Sequence, residues 1–407
     1  MPLLPKRHIR LGPAASGALF YFACYAAQGA YIPFLAVFFA RHGLSGSEIG
    51  LLAAVGPLIS LLVAPGISAL ADRRGWRVRL LILCLAATAL TLLLMPLPDS
   101  FAGLLVVVAL LSVVATPILS ISDGLVARMA ARRGLAYGKM RLWGSLSWAI
   151  ASVIGGALWQ EVGFFLMFPV ASLLLLAAIP FARLLEEDRI VESHVRPRLK
   201  VVIADVRLRV VLVATFVLGL AMAVTTTFAP IYLDKLAGGQ FLVGLFFAVL
   251  AVTELPIMHW SDAILKRLGG PLTLVLAYLL FGSSYLGLAW ATSPVLVLGV
   301  AVLHGIGFGL FLPTTVRLVA DWGPPEWSST SQGIMNAGMW GLAPLLAGPL
   351  GGIVYDSLGP QAVFLMSAGA TVVAILIVIV AQFAGLFKKR PGYAEVADGP
   401  ALAQIPD

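Results

Sequence analysis

Long apolar runs broken by short polar turns dominate the chain. A bilayer core about 30 Å thick takes about 20 residues of apolar helix. Twelve runs reach roughly that length, near 14–40, 48–70, 79–97, 101–127, 140–160, 163–182, 210–233, 241–261, 271–291, 294–317, 332–354 and 361–387. They are too long for strands and lack period-two alternation. The breaks carry turn chemistry at Gly43 to Ser47, Pro96 to Ser100, Gly238 with Gly239, Gly269 to Pro271, and Gly323 to Pro325. The pattern predicts an all-α membrane protein. The first run follows Lys6, Arg7 and Arg10, as a signal peptide would. It is far longer than a signal core and ends in no small-residue cleavage site, so it reads as a retained membrane helix.

Composition sharpens this. Of 407 residues, 60% are hydrophobic and only 11% charged, where a soluble domain carries about 25%. Lipid must therefore solvate most of the surface. A net charge of +8 invites a nucleic-acid reading, but the distribution removes it. With the N-terminus placed inside, 25 of the 27 Lys and Arg residues fall on the cytoplasmic side, and Arg41 and Lys235 are the two exceptions. The positive-inside rule then gives both termini in the cytoplasm and an even helix count, twelve. The basic balance reports topology in the inner membrane, and no nucleic-acid partner is expected. Cys24 and Cys84 lie in apolar runs and imply neither a disulfide framework nor a metal site.

The organisation is twofold. A polar stretch rich in Glu, Asp and Arg divides the chain into a first six-helix bundle (1–185), a cytoplasmic linker (186–208), a second six-helix bundle (209–390) and a flexible tail (391–407). The halves echo each other at a nearly constant offset. Pro33 answers Pro230, Gly50-Leu51 answers Gly244-Leu245, Arg74-Gly75 answers Leu268-Gly269, and Glu161-Val162-Gly163 answers Ser357-Leu358-Gly359. Four matches in order predict a duplicated, pseudo-symmetric pair of bundles.

Charges within the membrane are few and therefore informative, because each costs about 2.5–3.5 kcal/mol on insertion scales unless it finds a partner or a wet cavity. Asp123 in helix 4, Glu254 in helix 8 and His304 in helix 10 all fall near mid-depth. A carboxyl in low dielectric can load and release a proton near neutral pH, and an imidazole can titrate there too. All three are candidate proton carriers, with a structural ion pair or hydrogen bond as the competing reading; for Asp123 that partner is Arg141. In helix 5, Arg141, Ser145, Trp148 and Ser152 recur at i, i+4, i+7 and i+11, one helical stripe. The Arg offers a planar fork for a carboxylate or hydroxyls and the Trp a face for a ring. Tyr21, Tyr25 and Gln28 share a stripe on helix 1, Asn336 and Trp340 one on helix 11, and Thr225 to Thr227 put hydroxyls on helix 7. These could line a cavity or join helices. No nucleotide-binding loop or nucleophile–base constellation stands out, so neither ATP-driven nor hydrolytic chemistry, nor any cofactor, is expected.

Two repeated six-helix halves are the plan of the major facilitator superfamily, and the wording agrees. Ser68-Ala-Leu-Ala-Asp72-Arg73-Arg74-Gly75-Trp76-Arg77 resembles that superfamily's signature turn between helices 2 and 3, with Ser68 in place of the usual Gly. The resemblance implies a cytoplasmic gate at Asp72, Arg73 and Gly75. Gly29-Ala-Tyr-Ile-Pro33-Phe, the stretch from Arg132-Arg133 through Tyr137-Gly138-Lys-Met-Arg141 to Trp148, Leu303-His304 and Tyr355-Asp356-Ser-Leu-Gly359 are similar to the lactose permease family. The helix 4–5 wording is closer still to the phenylpropionate-permease-like and nucleoside-symporter-like branch. This implies a proton-driven symporter with a central cavity reached alternately from either side, and it places Arg141 and Trp148 at the solute. The departures are Gly307, Ser284 and Trp340, which stand where the sugar permeases carry charged residues of their proton machinery.

The expected function is import of a small organic solute (aromatic carboxylate, nucleoside or sugar) with protons, by a functional monomer. Export by proton exchange is the alternative; Val153-Ile-Gly155-Gly156 lacks the Pro that drug antiporters often carry there. A non-transporting sensor on the same fold is the minor one.

Overall fold

The computed structural model describes residues 12–187, 203–236, 238–324 and 327–387, leaving aside the side chains of 64, 65 and 68–74. Among them run twelve helical rods. They are α1 (Pro13–Arg41), α2 (Gly46–Arg74), α3 (Arg77–Leu92), α4 (Phe101–Arg133), α5 (Tyr137–Val162), α6 (Met167–Ala182), α7 (Val206–Asp234), α8 (Gly239–Leu268), α9 (Gly270–Ala289), α10 (Pro294–Trp322), α11 (Ser328–Leu358) and α12 (Pro360–Phe383). A 3₁₀ turn, Gly163–Leu166, joins α5 to α6. Ten spans are long and apolar enough to cross a membrane, one of them the 46-residue stretch Tyr137–Ala182 that holds both α5 and α6. At 16 residues, α3 is shorter than its apolar run; Pro96 and Pro98 stop the helix before the run ends.

The helix ends follow local chemistry. Ser100, Asp205 and Ser293 cap α4, α7 and α10 by accepting a backbone N–H of the first turn. Prolines stand at the first or second position of α1, α9, α10 and α12, where a missing N–H costs nothing. Gly134 ends α4 in the left-handed region, φ +63°.

The repeat read along the chain has a geometric counterpart. Gly163 and Gly359 take nearly the same extended, positive-φ conformation (φ +71°, ψ −171° and φ +85°, ψ +176°) at equivalent turns. Within the first half, α1 packs on α5 and α6. Gly29 allows the closest approach, since a Cβ there would fall 2.6 Å from the Trp148 carbonyl oxygen. The halves meet chiefly along α2 with α11 and α5 with α8.

One departure from regular helix was not anticipated. α11 is α-helical over Ser328–Asn336, π-helical over Ala337–Leu342 and α-helical again over Ala343–Leu358. Pro344 has no N–H to give the Trp340 carbonyl four residues back, and its ring crowds that turn, so the helix widens there.

Candidate functional site

The expected site residues divide into a cluster in the first half and separate places in the second. On α1, Tyr21 is fully buried and its hydroxyl donates to Asp123 Oδ1 of α4 at 2.6 Å. The hydroxyl of Tyr137, at the start of α5, lies 3.3 Å from that of Tyr21. The Arg141 guanidinium sits over the Tyr25 ring at 4.1 Å and near the Tyr21 ring at 5.6 Å. Trp148 follows on the same stripe, its ring 6.5 Å from that of Tyr25. Gln28 and Ser145 are half-buried near this cluster, on α1 and α5. Ser152, the last member of the stripe, is buried in the α1–α5 seam, donating to the Trp148 carbonyl at 2.8 Å. Lower on that seam, Trp159 Nε1 donates to the Ala30 carbonyl at 2.9 Å.

The bond to Tyr21 satisfies one Asp123 oxygen, and no ion pair joins Asp123 to Arg141 among the described residues. Arg141 instead rests its cation on an aromatic face of α1. Glu254 is half-buried on α8, the helix of the second half that packs against α5.

His304 lies elsewhere. It is buried inside the second half with its ring edge-on to Phe281 at 4.8 Å and to Tyr285 at 5.7 Å. Its Nδ1 meets no protein partner. Asn336 and Trp340 are exposed on α11, and Trp340 borders a cavity with α7 and α2. The Thr226 and Thr227 hydroxyls donate to carbonyls of their own helix. Asp72 and Arg73 stand on the last turn of α2, and their side chains lie outside the described residues; Gly75 turns the chain after them with φ +63°.

Sequence reasoning missed a set of contacts that close one end of the molecule. There Arg41 pairs with Asp234 across the halves at 3.0 Å. With the Gln240 amide turned to present its oxygen, Arg41 donates to that group as well. Asp356, on the last turn of α11, accepts from Gly46 N at 2.6 Å, Ser47 N at 2.8 Å and Ser47 Oγ at 2.6 Å, and so caps the start of α2. Gln160, its repeat counterpart on α5, accepts from Phe241 N in the first turn of α8 at 3.1 Å. Beneath these caps the backbones touch: a Cβ on Gly50 would run into the Gly348 carbonyl, and one on Gly244 into that of Ser152. The signals were present. Gly50 and Gly244 were repeat partners, and Arg41 and Lys235 were the two cations on the sparse side of the charge count. Lys235 lies 3.3 Å from the Tyr355 hydroxyl at the same end.

Paired helical halves sealed at one end, with buried charge between them, define a multi-pass membrane transporter. The MFS_1 like family model matches residues 16–366, and the chain belongs to that family of major facilitator transporters. It is 30% identical to a maltose permease of Geobacillus stearothermophilus over 366 residues, covering 89% of this chain and 92% of the permease. A 177-residue stretch is 25% identical to the multi-drug resistance efflux pump PmrA of Streptococcus pneumoniae, 42% of this chain and 44% of the pump. The fold matches the crystal structure of the nucleoside transporter NupG at a TM-score of 0.79, with 15% identity, covering 93% of this chain and all of that one. These relatives place it in the bacterial inner membrane.

Proposed function

We propose that the chain is a proton-coupled symporter that imports a small organic solute by alternating access. Twelve membrane helices form bundles 1–185 and 209–390 around a linker at 186–208, with a tail at 391–407 and both termini inside. Under that orientation the end closed by Arg41, Asp234 and Asp356 is the outer one. The observation that carries the reading is that Arg141 of α5, over the Tyr25 ring, and Glu254 of α8 stand half-buried on two helices packed together across the halves. Neither charge has an ion-pair partner within 4.0 Å among the described residues, so each is available to a ligand.

Glu254 takes the transported proton in this scheme. Once neutral it no longer repels an anionic solute, and Arg141 binds an anionic or hydroxyl-bearing group of that solute. Loading of proton and solute thereby become mutually favourable. Asp123 is held by Tyr21 and keeps the Tyr21, Tyr25 and Tyr137 wall in place, with access to a proton through the tyrosine hydroxyls. Trp148, Ser145 and Gln28 line the same wall, and Asn336 with Trp340 line the opposite one. His304 contributes from within the second bundle, and Asp72, Arg73 and Gly75 form the inner gate. The protein works as a monomer.

In vesicles of purified protein under an imposed pH gradient, Glu254→Gln abolishes gradient-driven accumulation while leaving exchange of labelled solute across the membrane. Accumulation by the variant at the wild-type level would remove the proton role of Glu254. The stretch shared with an efflux pump supports export as the second reading. The direction of net flux in the same vesicles separates the two.

A further inference from the structure

We propose that the cavity beside the π-helical stretch of α11 is a subsite for an apolar ring of the transported solute; this rests on the transporter reading above. The cavity is a partly open hollow of about 210 Å³ bordered by Ala53 of α2, Met222, Ala223 and Thr226 of α7, and Met339 and Trp340 of α11. A dry cavity of about 150 Å³ is enough to hold benzene. The space therefore admits a six-membered ring with a short substituent.

The lining chemistry selects an apolar occupant. No charged side chain borders the cavity among the described residues. The Thr226 hydroxyl is committed to the Met222 carbonyl at 2.9 Å, and the Thr227 hydroxyl to the Ala223 carbonyl at 2.8 Å. A sugar ring entering here would lose water from its hydroxyls and find few replacements, an uncompensated cost. An apolar ring finds two thioethers, which pack well against aromatic edges, and the Trp340 ring for edge or offset contact. Trp340 is positioned by Phe308, whose centroid lies 6.4 Å away in a T-shaped pair.

The π-helical stretch belongs to this argument. Extra turns of this kind recur at functional sites because they re-aim side chains without ending the helix. Here it carries Met339 and Trp340, both on the cavity wall. The cavity also joins the two halves, since Ala53 lies in the first and the other named residues in the second. An occupant therefore sits where the halves separate, and its binding is sensitive to which end is open.

The test uses the purified full-length protein with two probes, 4-bromophenylacetate and acetate. Bromophenylacetate at about ten times its Kd raises the melting midpoint, the gain expected from mass action, and acetate at the same concentration leaves it within about 1 °C. Crystals grown with bromophenylacetate show the bromine anomalous peak inside the cavity. Ala223→Phe and Ala53→Phe fill the space from opposite halves, and each weakens bromophenylacetate binding at least tenfold; if one variant does not fold, the other decides. A bromine peak beside Trp148, unchanged affinity in the folded variants, or acyl-chain density in the cavity with no bromophenylacetate binding would each overturn the subsite. If the subsite fails while vesicles still accumulate a solute under a pH gradient, the transporter reading stands alone. If bromine occupies the cavity and no solute moves under any gradient, the transporter reading falls and the site remains.

Discussion

Asp356 offers a quantitative test of how the end proposed above as the outer one is held shut. Its carboxylate accepts three hydrogen bonds from the first turn of α2, at 2.6, 2.8 and 2.6 Å. Hydrogen bonds to a charged group contribute about 1.5–3 kcal/mol where water is excluded, and a carboxylate at a helix N-terminus adds about 0.3–1 kcal/mol. Asp356 is exposed, so water replaces much of what Asp356→Ala removes, and the net loss falls to about 1–2 kcal/mol. The contact joins α11 to α2 across the halves and exists only while this end is closed. Its loss therefore acts on the conformational equilibrium, raising the outward-open population by about five- to thirtyfold. Ala53 lies on the cavity between the halves, and Ala53→Cys gives a reporter there. Cys24 and Cys84 are both buried, which keeps background alkylation low. In right-side-out vesicles, an impermeant maleimide should modify the reporter about five- to thirtyfold faster when Asp356→Ala is added. A rate within twofold of the unaltered latch would refute the assignment of Asp356 as a closing contact. The neutral counterpart, Gln160→Ala, removes a single bond to α8 and should give a smaller acceleration in the same assay.

Two further outcomes concern stability. Trp159→Phe removes the donor that meets the buried Ala30 carbonyl, which costs about 1–2 kcal/mol and is read as a lowered midpoint in denaturant unfolding of the purified protein. Gly134→Ala places a side chain in the left-handed region that closes α4, at about 1–2 kcal/mol, read as a lowered thermal midpoint.

Much of the architecture was legible in the residues, and for a simple reason. A chain in lipid must satisfy its backbone within each segment, so length, apolar continuity and turn chemistry fix helices almost locally. One of the repeat matches has a counterpart in backbone angles, since Gly163 and Gly359 take the same turn. The helix 5 stripe was legible too, since 3.6-residue periodicity alone puts Arg141, Ser145 and Trp148 on one face.

Which faces meet was decided only in three dimensions. Sequence spacing left Arg141 and Asp123 open as partners, yet the fold gives Asp123 to Tyr21 and sets Arg141 over the Tyr25 ring. Mid-depth placement made His304 look equivalent to Glu254, whereas the rotation of α10 packs it against Phe281 and Tyr285. The π-helical stretch of α11 came from a proline acting one turn back, and the cavity it borders depends on three helices at once. The closure at the end held by Arg41 and Asp356 joins residues about 190 to 310 positions apart. Local propensity places such groups at helix ends, but long-range packing alone selects their partners. Local sequence thus determined the helices and the scarcity of charge within them; the tertiary structure decided which helices meet, which partner Asp123 takes and which contacts close one end.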